Sequence, residues 1–552
     1  MRVTESPTSD IRYSRRRWLV LAVLCLGVFM ILLDGTIVNI AIPSIIEAFD
    51  TGLSEVEWVM NSYLLVFAVL LITAGRLGDL FGRKRVFLIG LTVFTVASIA
   101  CGLAPGIGYL IGFRGLQGLG GAMMMPSTLS IIANVFLPSE RGKAMGFWGG
   151  VTGFAVALGP ILGGLLVEAE SWRWIFFING PIGVVLMLAA LRYIPESTDP
   201  TSVKQMDYQG VGVLTVALFC LTFALIEGQN YGWTSALILG LFAAAVVGLG
   251  GFLLVQRRQA QPLMELGLFK NRTFSVTNGV SLVLAFGMMG VFFLLPIFLQ
   301  FILGYSVIKA GLALTPLAAV VIFSAPLSGM ISDRIGAKWP MFGGMVVAGV
   351  GFFLTMRVLD VGATWQELAG PFAISAFGIG MVMPPATSAV MGAVVTEKSG
   401  QASGVLSTVR QIGSVLGIAV MGALLQNRAV TYIQQSLASK LAVASPSLSA
   451  ETQGEVLDFV GAYAADMGQM QLAGGAEGGI PSGTMEAFAQ LSRPAQEWAM
   501  PFFMDPTSME LIKADFAHAM RTTYLFSIIL VFAGAILVLA LKGRAKNSDI
   551  ES

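Results

Sequence analysis

The sequence predicts an all-α integral membrane protein with fourteen membrane-spanning helices, arranged as two six-helix bundles and an inserted pair. Three observations carry this. Of the 552 residues, 55% are apolar and 12% are charged, where an ordinary soluble domain is ~25% charged. Apolar runs of bilayer length recur fourteen times. A block of six of those runs is then repeated later in the chain. With a mean hydropathy of +0.79, a soluble globular protein and a disordered chain are excluded. The net charge of +1 offers nothing to a polyanion, so no nucleic-acid partner is expected.

Each span is justified by its length, since a helix needs ~20 apolar residues to cross the hydrocarbon core. The first, 18–42, follows Arg15, Arg16 and Arg17 and runs on without a small-residue cleavage site, so it reads as a retained span and not a signal peptide. Runs at 56–80, 84–103, 107–135, 142–167 and 172–194 complete an N-terminal bundle over 18–194. Two more, 209–228 and 234–256, lie in a linker over 195–272. The last six, at 273–301, 307–331, 339–358, 366–394, 400–426 and 522–541, form a C-terminal bundle over 273–541. Residues 1–17 and 542–552 remain as tails. With the N-terminus inside, 22 lysines and arginines fall on the inner side and eight on the outer. That bias places both termini in the cytoplasm. Residues 427–520 then form a long extracellular loop. A lid, an interfacial platform, a partner-docking segment and disorder all remain open for it.

The duplication is legible in three pairs of segments. Gly75, Asp79, Gly82 and Lys84 match Gly329, Asp333, Gly336 and Lys338, 254 residues later. Gly120, Met125 and Pro126 match Gly378, Met383 and Pro384, 258 residues apart, and Gly142–Gly159 matches Gly400–Gly417 at the same spacing. Internal repeats of this kind mark transporters and put the substrate site between the halves near the midplane.

Asp34 is the sharpest single residue. An acid within a span is costly and reads as functional by default, so Asp34 is expected to carry a coupled proton, to bind a cationic substrate, or to alternate between the two. Counting helical rise places Asp34 and Arg114 in the same outer half of the membrane, which makes them candidate partners, with Gln117 one turn further on. Arg410 falls near mid-depth in the thirteenth span, and a cavity role and a packing role stay equally open. Asp79 and Arg83 lie on a turn bounded by Gly75 and Gly82, where a carboxylate can face a neighbouring helix N-terminus and gate the halves. Asp333 is the second copy, weaker because Ala337 stands where Arg83 does. Gly153, Gly159, Pro160, Gly163 and Gly164 read as a helix-packing device that seals against the other half. Clustered methionines, Met123–Met125 with Met381 and Met383, suit a cavity that accepts many shapes. The three cysteines read as buried apolar side chains, and no metal site is expected. The single histidine, His518, leaves nothing for a serine triad elsewhere, so no enzyme is expected.

These segments resemble the major facilitator superfamily, and more narrowly its fourteen-span drug:proton antiporter family, the quaternary-ammonium and multidrug exporters of bacteria. Leu33–Pro43 is similar to that family's first-span signature, Gly75–Arg85 to the superfamily loop motif, and Arg114–Gly118 to the fourth-span motif. Gly153–Gly164 is similar to the antiporter motif of the fifth span, and Trp172–Pro181 to the sixth-span signature of the fourteen-span branch. The resemblance implies the major facilitator fold in a bacterial plasma membrane, and a proton-coupling role for Arg114. It implies export of amphiphilic, cationic drugs in exchange for protons, with the proton gradient as the energy source and no cofactor. The alternatives are a dedicated exporter of an endogenous metabolite or lipid and, behind it, a proton-coupled importer. The glycine run Gly115–Gly121 lies in a membrane helix with no preceding strand, so it does not read as a nucleotide loop.

Overall fold

The computed structural model describes residues 15–51, 53–169, 171–197, 205–259, 261–444, 449, 451–461, 488–504 and 506–541. Every regular element among them is helical. Lipid cannot satisfy a free backbone donor or acceptor, so a chain this apolar closes its hydrogen bonds within each helix. The N-terminal half contains α1 (Arg16–Phe49), α2 (Leu53–Phe81), α3 (Arg83–Gly102), α4 (Ile107–Val135), α5 (Arg141–Ala169) and α6 (Trp174–Tyr193). The inserted pair is α7 (Tyr208–Tyr231) and α8 (Ala236–Arg258). The C-terminal half contains α9 (Arg272–Ile302), α10 (Thr315–Ile335), α11 (Lys338–Val358), α12 (Trp365–Gly392), α13 (Ser399–Ala444) and α14 (Pro506–Leu539).

Twelve of these helices are long and apolar enough to cross a bilayer. The other two, α4 and α5, are 29 residues each, ~44 Å at the helical rise. Their glycines let neighbours approach, and α4 packs on α2 and α3 while α5 packs on α1 and α10. The expectation of fourteen spans thus rests on hydropathy at twelve positions and on length and packing at two.

The duplication is visible in the packing. A Cβ on Gly120 would stand 2.7 Å from the Gly90 carbonyl oxygen, and one on Gly378 would stand 2.7 Å from that of Gly344. The crossing of α3 with α4 and that of α11 with α12 therefore use the same bare-backbone contact. Between the halves, α2 lies along α13 and α5 along α10. The inserted α7 packs on α8, on α2 and on α13, so it touches both halves.

The structure differs most from expectation over 427–520. The thirteenth helix does not stop at 426 but continues to Ala444, and α14 begins at Pro506 rather than 522. Further helix covers 451–461 and Arg493–Met504. Ile433, Leu437, Val456, Phe459, Ile512 and Phe516 extend the core of the C-terminal half out along these helices. A low-hydropathy but amphipathic stretch reads as loop when only membrane-length apolar runs are sought. Residues 462–487, at the middle of the expected loop, and the tails 1–14 and 542–552 lie outside the described residues.

Overpacking a tight crossing typically costs ~1–3 kcal/mol. Gly120→Leu and Gly378→Leu are therefore expected to lower the thermal unfolding midpoint of the detergent-purified protein by several degrees. Gly112→Leu, at a position open within 4 Å, is expected to leave the midpoint unchanged.

Candidate functional site

A polar cluster lies buried inside the N-terminal half. Asp34 on α1, Arg114 and Gln117 on α4, and Asn179 on α6 are each no more than 1% exposed, so the cluster is dry and its members must satisfy one another. Arg114 donates from Nη1 to Asp34 Oδ2, forming a direct ion pair. The other carboxylate oxygen, Oδ1, accepts from Gln117 Nε2 at 2.8 Å and from Asn179 Nδ2 at 3.0 Å. Gln117 also accepts from Arg114 at 2.7 Å. The guanidinium is held on its far side by the Val59 carbonyl, 3.1 Å from Nε, and lies over the Tyr63 ring with its centre 4.4 Å from the ring centroid. The fold thus brings together Asp34, Arg114 and Gln117 as expected, and in direct contact.

Asn179, Ser98 and Tyr63 were not singled out from the sequence. Asn179 Nδ2 also donates to Ser98 Oγ at 3.0 Å, and Ser98 donates to the Phe176 carbonyl. The signature Trp172–Pro181 explains how the asparagine is placed. Arg173 donates to the carbonyls of Gly102 and Ala104 at the end of α3 and stacks on Trp172, which fixes the start of α6. A buried amide inside a span was the available signal for Asn179. The tyrosine and serine carry no comparable signal.

A second set of contacts closes one end of the molecule. Gly82 and Gly336 turn the chain with φ of +105° and +86°, a region that favours glycine. Next to these turns, Asp79 accepts from the backbone N–H groups of Gly400 and Gln401 at 2.9 and 2.8 Å, at the start of α13. Asp333 accepts from those of Gly142 and Lys143 at 2.8 and 2.9 Å, at the start of α5. Each half therefore sets an aspartate on the positive end of a helix in the other half. The backbone contact itself needs no arginine and is the same in both copies. Only the arginine is asymmetric. Arg83 pairs with Asp79 at 3.0 Å and donates to the carbonyls of Thr396 and Glu397. Gly75 permits the approach, since a Cβ there would run into the backbone of Gly400 and Gly404.

The inserted pair reaches the same place, a connection the sequence did not show. Asp207 at the start of α7 accepts from Gln256 Nε2 at 2.6 Å and from Leu263 N–H at 3.4 Å, fixing the chain after α8. The Glu265 carboxylate then pairs with Lys398 at 2.6 Å, and Glu265 N–H donates to Gln401 Oε1.

Arg410 stands apart from the polar cluster. It donates to Thr387 Oγ1 at 2.7 Å and to the Met383 carbonyl at 3.3 Å, and no carboxylate among the described residues pairs with it. The fifth-span motif divides. Gly153 faces Val321 of α10, but Gly159 abuts Thr36 of α1 in its own half, and Gly164 has nothing within 4 Å. Contact with the other half is made instead by Gly142, Gly146 and Gly150, nearer the start of α5. The expected seal by Gly159 and Gly164 is therefore corrected: the helices diverge before the motif ends. Gly163 is buried, and the side chain of Pro160 lies outside the described residues.

Removing one partner of a buried ion pair costs about 3–5 kcal/mol, because the other charge stays buried alone. Arg114→Ala is therefore expected to destabilise the protein strongly, and adding Asp34→Asn is expected to recover much of that loss. Thermal unfolding of the two single variants and the double variant checks this, and additive effects would refute direct coupling. At the closed end, Asp79→Asn removes the charge held by two backbone donors and by Arg83. It is expected to raise the labelling rate of a cysteine placed at Thr396 several-fold.

Comparison with known proteins agrees with this architecture. Residues 24–418 match the Major Facilitator Superfamily model. The chain is 36% identical over 426 residues to the tetracenomycin C resistance and export protein of Streptomyces glaucescens, covering 77% of this chain and 79% of that one. It is 32% identical over 528 residues to the multidrug transporter MdtP of Bacillus subtilis strain 168, covering 96% and 93%. In fold it is similar to the human organic anion transporter MFSD10, with a TM-score of 0.58 at 14% identity, over 94% of this chain and all of the other. Such transporters are multi-pass membrane proteins and not enzymes. On its helices, its duplicated aspartate turns and these matches, the chain belongs to the Major Facilitator Superfamily.

Proposed function

We propose that this protein exports amphiphilic small molecules by alternating access in exchange for protons. The observation that carries the reading is the ion pair of Asp34 with Arg114, sealed from water inside one half. As a carboxylate, Asp34 uses both oxygens to accept from Arg114, Gln117 and Asn179. A proton on Asp34 removes the charge that Arg114 needs and turns one acceptor oxygen into a donor. The cluster cannot keep all three bonds, so proton uptake and a shift of α1 against α4 and α6 become one event. Positive-inside counting puts the closed turns of Asp79 and Asp333 at the cytoplasmic face, with both termini. Opening then means pulling two aspartates from two helix N-termini, and in the first half breaking the Arg83 contacts as well.

Two substrate classes fit. A cationic drug suits Asp34 once Arg114 has let go, and the names of multidrug relatives support that class. Arg410 favours a second class, neutral or anionic aromatic metabolites, because it carries a charge that no described carboxylate balances. The naming of relatives for tetracenomycin C and as a probable actinorhodin transporter supports that class as well. In both, the driving force is the proton gradient.

The test is proton movement in proteoliposomes when substrate is added, with ethidium as the cationic probe and an anthraquinone carboxylate as the anionic one. Wild type is expected to move protons with at least one probe, and Asp34→Asn with neither. Full pH-driven transport by Asp34→Asn would sink the assignment. Arg410→Gln is expected to impair the anionic probe at least ten-fold while sparing ethidium if the second class is the physiological one.

A further inference from the structure

A cavity of about 540 Å³ opens between the inserted pair and the C-terminal half, away from the polar cluster. Its wall is the α13 face formed by Ala419, Ala423 and Leu424, and its rim is Trp233, Asn427 and Arg428. The rim lies where α7 ends and the chain turns back into α8, and where the thirteenth apolar run ends at 426. It is therefore at the level of the membrane interface, at the end of the molecule opposite the gate turns.

The rim is built rather than incidental. Gly232 takes φ +84°, a left-handed turn that sets Trp233 back against α7. The indole then fills the space that the missing side chain of Gly228 leaves, since any Cβ at 228 would run into the ring. That packing fixes the ring but leaves its Nε1–H buried without a hydrogen-bond partner, an uncommon state for a donor. Arg428 beside it is exposed and has no acidic partner among the described residues. Glu227, six residues before Trp233, accepts from Asn61 of α2 at 3.5 Å.

We propose that this cavity binds an anionic phospholipid of the leaflet opposite the gate turns. The phosphate would be held by the Arg428 guanidinium, the Trp233 N–H and the Asn427 amide, and an acyl chain would lie along Ala419, Ala423 and Leu424. Charge selects the head group, because a guanidinium with no carboxylate nearby prefers a net negative ligand. The apolar wall running from the interface into the hydrocarbon selects a ligand with a tail. Indole and arginine side chains also sit comfortably at head-group depth. The inserted pair thereby gains a role beyond separating the halves: it completes a lipid site on the flank of α13, a helix that must move when the gate opens. The inference does not depend on which substrate is exported.

The test uses the full-length protein purified in mild detergent and native mass spectrometry, with phosphatidylglycerol, phosphatidylethanolamine and inorganic phosphate as probes. Phosphatidylglycerol is expected to be retained at least five-fold more than phosphatidylethanolamine. Arg428→Ala is expected to abolish that preference, Arg428→Lys to keep most of it, and Trp233→Phe, which keeps the ring but loses the donor, to fall between. Arg357→Ala, which removes an exposed arginine of α11, is expected to change nothing. The proposal fails if Arg428→Ala keeps the preference, if Arg357→Ala lowers it equally, or if millimolar phosphate displaces the lipid, which would make this a simple anion site. Thermal midpoints within a degree or two of wild type for Arg428→Ala and Trp233→Phe would show that lost retention is not lost folding.

Discussion

The rest of the molecule is arranged around one charge that water cannot reach. A carboxylate and a guanidinium withdrawn from solvent are tolerated only when each fills the other's needs and their remaining hydrogen-bonding positions are occupied. Asp34 and Arg114 meet those conditions through Gln117, Asn179, the Val59 carbonyl and the face of Tyr63. Four helices of the N-terminal half are thereby held to one geometry by a single ion pair. On the reading proposed above, neutralising Asp34 would loosen this whole arrangement.

The closed end of the molecule is held in a different way. Its contacts are aspartates on helix N-termini, a weak and geometrically forgiving interaction repeated in both halves. Asp79 and Asp333 each accept from two backbone N–H groups at a helix start, and Arg83 adds an ion pair to the first. Glycines at 75, 142 and 329 let the two backbones meet there, while the helices spread apart beyond Gly153. A tight, shallow closure at one end and divergence further along suits the alternating access proposed above. Glu265 adds the inserted pair to the closure by engaging Lys398 and Gln401, residues of the segment that Arg83 and Asp79 hold. Three parts of the chain therefore converge on the first turn of α13.

Much of this was legible in the residues. Runs of apolar length fixed the helices, and intramembrane charge singled out Asp34, Arg114 and Arg410. The spacing of Gly, Asp, Gly and Lys revealed both gate turns. Depth counting along α1 and α4 was sufficient to pair Asp34 with Arg114, because helical rise is regular. Reading failed where the signal depends on a partner distant in the chain. Asn179 is an ordinary amide until α6 sets it against Asp34. Ala337 showed that the second turn lacks the arginine of the first, but not that Asp333 takes backbone N–H groups from the start of α5. The helices beyond 426 were missed because they are amphipathic without being apolar enough to count as spans.

The sequence alone determined the environment of this protein and its division into two related halves with an insert. Hydropathy and repeat spacing are local properties, and lipid leaves a chain no alternative to helix. Only the tertiary structure decided which charges are paired and which are not. Arg114 meets the Asp34 carboxylate, whereas no carboxylate among the described residues pairs with Arg410, although both are arginines inside a span. It also decided that the inserted pair bears on α13 twice, through Glu265 at the gate and through Trp233 at the opposite interface, since packing between segments far apart in sequence is set by the shapes of whole helices.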